Sequence, residues 1–228
     1  MKISGLMKLT LLDYPGKVAC TVFLAGCNFR CPFCHNGSLV RGGDLDISED
    51  ELFTFLARRK GVLDGVCLTG GEPTLYEEIF DLARKIKALG FSLKLDTNGS
   101  NPERLGRFID EGLCDYAAMD VKSSPEGYAA ACGTSVDMKK IKESIAILKT
   151  RGIPHEFRTT VVKGLHTKED VVAAARLVGE GEPYFLQCYK ESDDVLAPSG
   201  LSAFSTDELN DILAAARQFN SSTSLRGV

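Results

Sequence analysis

Three cysteines, Cys27, Cys31 and Cys34, crowd within eight residues in the segment Gly26-Cys27-Asn28-Phe29-Arg30-Cys31-Pro32-Phe33-Cys34-His35-Asn36. Thiolates at this spacing on one short loop can converge on a single metal centre, and two metal chemistries fit. A structural zinc would take His35 as its fourth ligand, because three cysteines and a histidine form a recognised zinc set. Such sites usually divide their ligands into two pairs on separate segments, and no second pair follows. An iron–sulfur cubane normally takes four thiolates. Three would leave one iron open to a cofactor or substrate, as catalytic metals require. A disulfide would use two of the thiols and strand the third. Cys20, Cys67, Cys114, Cys132 and Cys188 are scattered singly and read as small buried apolar residues.

Four further stretches carry polar chemistry. Thr69-Gly70-Gly71-Glu72-Pro73 places bare backbone where a ligand can approach closely, although a strand-to-helix turn with Pro73 at the helix start explains the same string. Leu95-Asp96-Thr97-Asn98-Gly99 reads as a turn or as a set of oxygen ligands. Ala118-Met119-Asp120-Val121-Lys122 offers a carboxylate and an ammonium, which could equally form a solvated charge cluster. Arg158 stands among β-branched residues in Phe157-Arg158-Thr159-Thr160-Val161-Val162, where a charge needs a ligand or a core partner. His155 and His166 lack metal-ligand spacing and read as surface or loop residues.

The elements that must position these residues alternate along the chain. Strands are expected at 17–24, 66–69, 92–96, 116–121, 155–162 and 184–189. Helices are expected at about 48–59, 75–89, 102–111, 139–150, 168–178 and 206–219. Ser48 and Glu51 form a capping-box pattern, and Gly90 and Gly112 are stop signals. Six strands alternating with helices demand an α/β fold with a mostly parallel sheet. It would be an open doubly wound sheet or a partial (β/α)6 barrel of TIM type. In either, ligand-binding residues belong at the carboxyl ends of the strands, and every motif above falls there. The chain is expected to be a single domain over 1–228, with a cysteine loop at about 25–44 and a Ser/Thr-rich tail, about 220–228, that frays.

A net charge of −4 gives no basic footprint for nucleic acid. The longest apolar run, 18–26, is far shorter than the roughly 20 residues a membrane span needs. No export signal is evident, so a cytoplasmic location is expected.

The C-x-x-x-C-x-aromatic-C string, with Phe33 as its aromatic residue, resembles the signature of the radical S-adenosylmethionine superfamily. The resemblance implies that Cys27, Cys31 and Cys34 hold a [4Fe–4S] cluster whose open iron takes S-adenosylmethionine. One electron then yields methionine and a 5′-deoxyadenosyl radical. Gly70, Gly71 and Glu72 are similar to the family's GGEP motif, which contacts the methionyl amino group. Asp96, Thr97 and Asp120 resemble ligands of a monovalent cation in the pyruvate formate-lyase activating enzyme. The same comparison makes Lys122 and Arg158 cofactor contacts. The methionine of that M-x-D-x-K pattern is displaced by one position here, so Ala118 would serve if the role is played by a backbone carbonyl. Leu9-Thr10-Leu11-Leu12-Asp13-Tyr14-Pro15-Gly16-Lys17 is similar to the D-x-P-G stretch of glycyl-radical-enzyme activases, in particular those of anaerobic ribonucleoside-triphosphate reductase. The implied partners are a glycyl radical enzyme, such as anaerobic ribonucleotide reductase or a formate-lyase-like enzyme, and an electron donor of flavodoxin or ferredoxin type. A small-molecule enzyme similar to the carboxy-deazaguanine synthases and a non-catalytic zinc or iron–sulfur module remain as alternatives.

Overall fold

A computed structural model describes residues 1–43 and 45–227. One sheet carries eight strands in chain order: β1 (Ile3–Thr10), β2 (Ala19–Leu24), β3 (Gly65–Gly70), β4 (Ser92–Thr97), β5 (Tyr116–Asp120), β6 (His155–Val161), β7 (Tyr184–Cys188) and β8 (Thr223–Arg226). β1 is antiparallel to β2, and every later neighbour is parallel. Parallel neighbours need crossovers. These are α1 (Gly37–Val40) and α2 (Glu49–Arg58) after β2, α3 (Ile79–Ala88) after β3, and α4 (Pro102–Asp110) after β4. They continue with α5 (Tyr128–Cys132) and α6 (Met138–Thr150) after β5, α7 (Lys168–Val178) after β6 and α8 (Thr206–Ala216) after β7. The expected α/β partial barrel of six strand–helix units is therefore present. Because β1 and β8 are the two ends of the strand order, the sheet does not close.

Local chemistry sets most boundaries. The Ser48 hydroxyl accepts from the Glu51 N–H, and the Glu51 carboxylate accepts from the Ser48 N–H, which completes the capping box that starts α2. The helix expected at 75–89 is split. Pro73–Leu75 forms a 3₁₀ turn, Tyr76 is extended, and α3 begins only at Ile79. Tyr76 leaves the helix so that its hydroxyl can donate to the Ala25 carbonyl at 2.7 Å, beside the cysteine loop.

The expected fraying of the tail is corrected by β8, whose residues 223–226 pair with β7. Asn220 is fully buried and donates to the Glu182 carbonyl at 2.9 Å, which anchors the turn before β8. Asp44, where the cysteine loop was expected to end, and Val228 of the tail lie outside the described residues.

The two faces of the sheet differ in chemistry. Strand alternation sends Val22, Leu68, Leu93, Leu95, Met119, Phe157 and Leu186 toward the helices, where they join Leu56, Phe80, Phe108, Ile141 and Val171 in one buried core. The alternate residues, among them Thr69, Lys94, Asp96, Asp120, Glu156, Arg158 and Arg226, occupy the opposite, inner face.

Candidate cofactor site at the carboxyl ends of the strands

The cysteine loop leaves the end of β2 and is fastened from several sides. Gly71 N–H donates to the Leu24 carbonyl at 2.8 Å and Glu72 N–H to the Gly26 carbonyl at 2.9 Å. A Cβ on Gly71 would lie 1.9 Å from the Gly26 oxygen, so only glycine lets the end of β3 approach this closely. From β4, Asn98 donates to the Asn28 side chain at 2.9 Å and lies 3.9 Å from Cys27 Sγ. From the end of α5, the Cys132 carbonyl accepts from Arg30 N–H at 2.7 Å. From the segment after β7, Leu196 and Ala197 N–H groups donate to the carbonyls of Cys34 and Pro32.

Cys27, Cys31 and Cys34 all line one cavity, together with Phe33, Gly70, Gly71, Asp96, Thr97, Asp120, Lys122 and Arg158. Phe29, His35, Asn36, Val40, Thr69, Asn98 and Thr160 complete its walls. All eight cysteines are free. Opposing influences act on the three sulfurs. Phe29 N–H reaches Cys27 Sγ at 3.3 Å, and the half-buried Lys122 ammonium draws all three thiols toward the thiolate. A hydrogen bond from Cys132 pulls Cys31 down to about 7, while burial pushes Cys27 up to about 11 and also raises Cys34. Among the described residues, no three His, Cys, Asp or Glu side chains close on one metal ion. Three thiols opening on one cavity are a donor set that suits a cluster.

Behind the thiols lies a ladder of charges on the inner face. Lys94 pairs with Asp96 Oδ1, and Thr69 Oγ1 donates to Asp96 Oδ2 at 3.2 Å. Arg158 spans both carboxylates, at 3.3 Å from Asp96 and 2.9 Å from Asp120. Lys122 Nζ donates to Asp120 Oδ2 at 2.9 Å. Burial alone would raise both carboxyl groups, but Arg158, with Lys94 at Asp96 and Lys122 at Asp120, holds both below the usual range. Below this, Glu156 takes two hydrogen bonds from Arg226, at 2.9 and 3.0 Å, and lies 4.0 Å from Arg158.

Two predicted contacts are placed differently. Glu72 is fully buried outside the cavity. Its carboxylate accepts from Thr74 N–H and hydroxyl, Thr97 hydroxyl at 2.9 Å and Asn98 N–H at 2.6 Å, so it binds the end of β3 to the end of β4. The Thr97 hydroxyl, besides donating to Glu72, accepts from Gly99 N–H at 3.1 Å. It is thus directed away from the Asp96–Asp120 pair. His166 is buried, not a surface residue. It accepts from Val162 N–H, donates to the Lys122 carbonyl at 2.8 Å and sets its ring edge-on to Phe33. Lys94 and Asn98 were missed. The alternation Ser92-Leu93-Lys94-Leu95-Asp96 was the available signal, since it places Lys94 and Asp96 on one face.

Comparison with known proteins follows the same residues. The family model described as "Radical SAM superfamily" matches residues 21–178. A protein of Methanocaldococcus jannaschii named "Putative glycyl-radical enzyme activating enzyme" is 33% identical over 84% of this chain and 81% of its own length. The pyruvate formate-lyase-activating enzyme of Clostridium pasteurianum is 27% identical, covering 78% of this chain and 76% of its own. A 7-carboxy-7-deazaguanine synthase of Methanospirillum hungatei is 33% identical over 66% of this chain and 62% of its own. Among solved structures, a domain of pyruvate-formate lyase-activating enzyme from Bacteroides vulgatus matches in fold. Its TM-score is 0.55 at 16% identity, with 72% of this chain and 99% of that one covered.

Proposed function

The chain belongs to the radical SAM superfamily, whose cofactors are a [4Fe–4S] cluster and S-adenosylmethionine, and we propose that within it the protein is the activating enzyme of a glycyl radical enzyme. The similarity to activating enzymes over 84% and 78% of the chain carries this reading.

Cluster and S-adenosylmethionine together supply a one-electron reductive cleavage to methionine and a 5′-deoxyadenosyl radical. The chain's own residues do the rest. Cys27, Cys31 and Cys34 would hold the cluster, and the buried Phe33, between Cys31 and Cys34 in the loop, lines the same cavity. Gly71 N–H is committed to Leu24 at the end of β2 and Glu72 N–H to Gly26 of the cysteine loop, so this stretch offers carbonyl oxygen, which suits the methionyl ammonium. Lys122 and Arg158 line the cavity as cations and suit the methionyl carboxylate. Asp96 and Asp120 hold those cations in place.

The receiving group is a backbone glycine of a partner protein, which gives up a hydrogen atom to form 5′-deoxyadenosine and keeps the unpaired electron. Met7, Leu9, Leu11 and Leu12 are exposed at the open β1 edge and in the stretch that follows it, and Leu12 is 88% exposed. An apolar surface at a sheet edge that Ile47 covers only at Ile3 among the described residues suits contact with a protein.

The test is anaerobic reconstitution with iron and sulfide, reduction with S-adenosylmethionine present, and assay of 5′-deoxyadenosine with and without candidate glycyl radical enzymes. A glycyl signal in electron paramagnetic resonance is expected in one of them. Turnover of a small metabolite with no glycyl signal in any partner would replace this reading with a carboxy-deazaguanine-synthase-like one.

A further inference from the structure

The resemblance to the pyruvate formate-lyase activating enzyme implies a monovalent cation held by Asp96, Thr97 and Asp120, and the side chains here do not fit one. The Thr97 hydroxyl is committed to Glu72 and Gly99. Both oxygens of both carboxylates already receive charge-assisted bonds. Lys94 holds Asp96 Oδ1, Arg158 holds Asp96 Oδ2 and Asp120 Oδ1, and Lys122 holds Asp120 Oδ2. Two negative charges thus face three positive ones. An added alkali ion would lie among like charges or would have to displace one of these bonds.

Lys94 is the residue that changes the balance. Its side chain is 1% exposed, in a strand whose neighbouring positions are apolar. Its other near groups are the Cys67 sulfur at 3.9 Å and the Tyr116 ring at 6.0 Å, neither of which neutralises an ammonium. Asp96 is its one carboxylate partner among the described residues. A buried lysine is tolerated when it is paired, and here the pairing uses the carboxylate the alkali ion would need.

We infer that Lys94 takes the place beside Asp96 that a monovalent cation would need, with Arg158 and Lys122 holding the rest of the Asp96–Asp120 pair, and that this chain takes no monovalent metal ion there. Lys94 is a positioning residue. It does not line the cavity but fixes the carboxylate that orients Arg158. The inference is independent of which molecule receives the radical.

The experiment compares thermal unfolding of the cluster-loaded chain with S-adenosylmethionine in potassium, sodium and choline chloride at equal ionic strength. An ion that binds only the folded state raises the melting temperature with its concentration. The native chain should melt at the same temperature in all three salts and form 5′-deoxyadenosine equally in each. Lys94→Met removes the charge and should acquire a stabilisation of several degrees in potassium or sodium over choline. A native chain stabilised by one alkali ion and not by choline would overturn the inference. A folded Lys94→Met chain indifferent to all three salts would remove Lys94 from the role. If Lys94→Met does not fold, Lys94→Gln gives the same comparison, and the native salt series still decides whether an alkali ion binds.

Discussion

The outer and inner faces of the sheet are built from the same strands, one residue apart, and obey different rules. In β4, Leu93 and Leu95 point to the helices and are fully buried among apolar side chains, while Lys94 and Asp96 between them meet only across a charge ladder. In β6, Phe157 joins the core and its neighbours Glu156 and Arg158 join the ladder. The outer face is interchangeable hydrophobic bulk and supplies stability. The inner face carries groups that are costly to bury singly, each tolerated because a partner on the same or a neighbouring strand answers it. Stability and chemistry can thus be changed separately, which gives direct ways to test the division.

The largest effect is expected where the inner face meets the cysteine loop. Replacing Cys27, Cys31 or Cys34 by Ala should abolish iron–sulfur loading and 5′-deoxyadenosine formation, with the far-ultraviolet circular dichroism of the native chain retained. Full activity in any one of the three would dismiss that cysteine as a ligand. On the outer face, Phe157→Ala should cost about 3–5 kcal/mol of stability in urea titration through the cavity it leaves. Any variant still folded should bind the cluster. If it loses cleavage while keeping its fold, the two faces are not separable.

Much of this division was legible in the sequence. Six strands and the capping box at Ser48 follow from alternation and spacing, and the cysteine loop from its ligand chemistry, while the sequential strand order needed the structure to separate a barrel from a doubly wound sheet. What stayed hidden depended on partners distant in the chain. Thr223-Ser224-Leu225-Arg226 is short and polar, and it becomes a strand because β7 offers an edge and Glu156 a counter-charge. Glu72 reads as a cofactor contact from its motif, but four donors from Thr74, Thr97 and Asn98 bury it as a structural tie. Lys94 was only half legible, because the alternation puts Asp96 on its face but only the fold brings Arg158 to the same carboxylate.

A smaller effect is expected from Asp120→Asn, and it should carry a pH signature that the outer face lacks. Asp120 titrates below the usual carboxylate range when folded. Its pairing therefore adds stability above the unfolded value of about 3.9 and loses it as pH falls through the folded one. Asp120→Asn should cost about 2–4 kcal/mol at pH 7, because Arg158 and Lys122 lose a half-buried charged partner. The cost should shrink on acidification from about pH 5 downward. Phe157→Ala should lose the same increment at every pH. Parallel stability–pH curves for the two variants would show that the ladder contributes nothing beyond packing.

The smallest effect is expected from Arg226→Met, which probes how deep the functional part of the inner face extends. Arg226 is on β8, is partly exposed, and donates twice to the buried Glu156 while its guanidinium lies 3.7 Å from the Phe185 ring centroid. Methionine keeps most of the contact with Phe185 but leaves Glu156 with the Tyr116 hydroxyl at 3.1 Å and Arg158 at 4.0 Å. The loss of charge-assisted hydrogen bonds should cost about 1–2 kcal/mol. Arg158 keeps its bonds to Asp96 and Asp120, so cluster content and the Michaelis constant for S-adenosylmethionine should stay near native. A rise in that constant without further loss of stability would show that Arg158 is held in place from Glu156 as well. The working part of the face would then extend two residues further down β6, and β8 would belong to the site as well as to the fold.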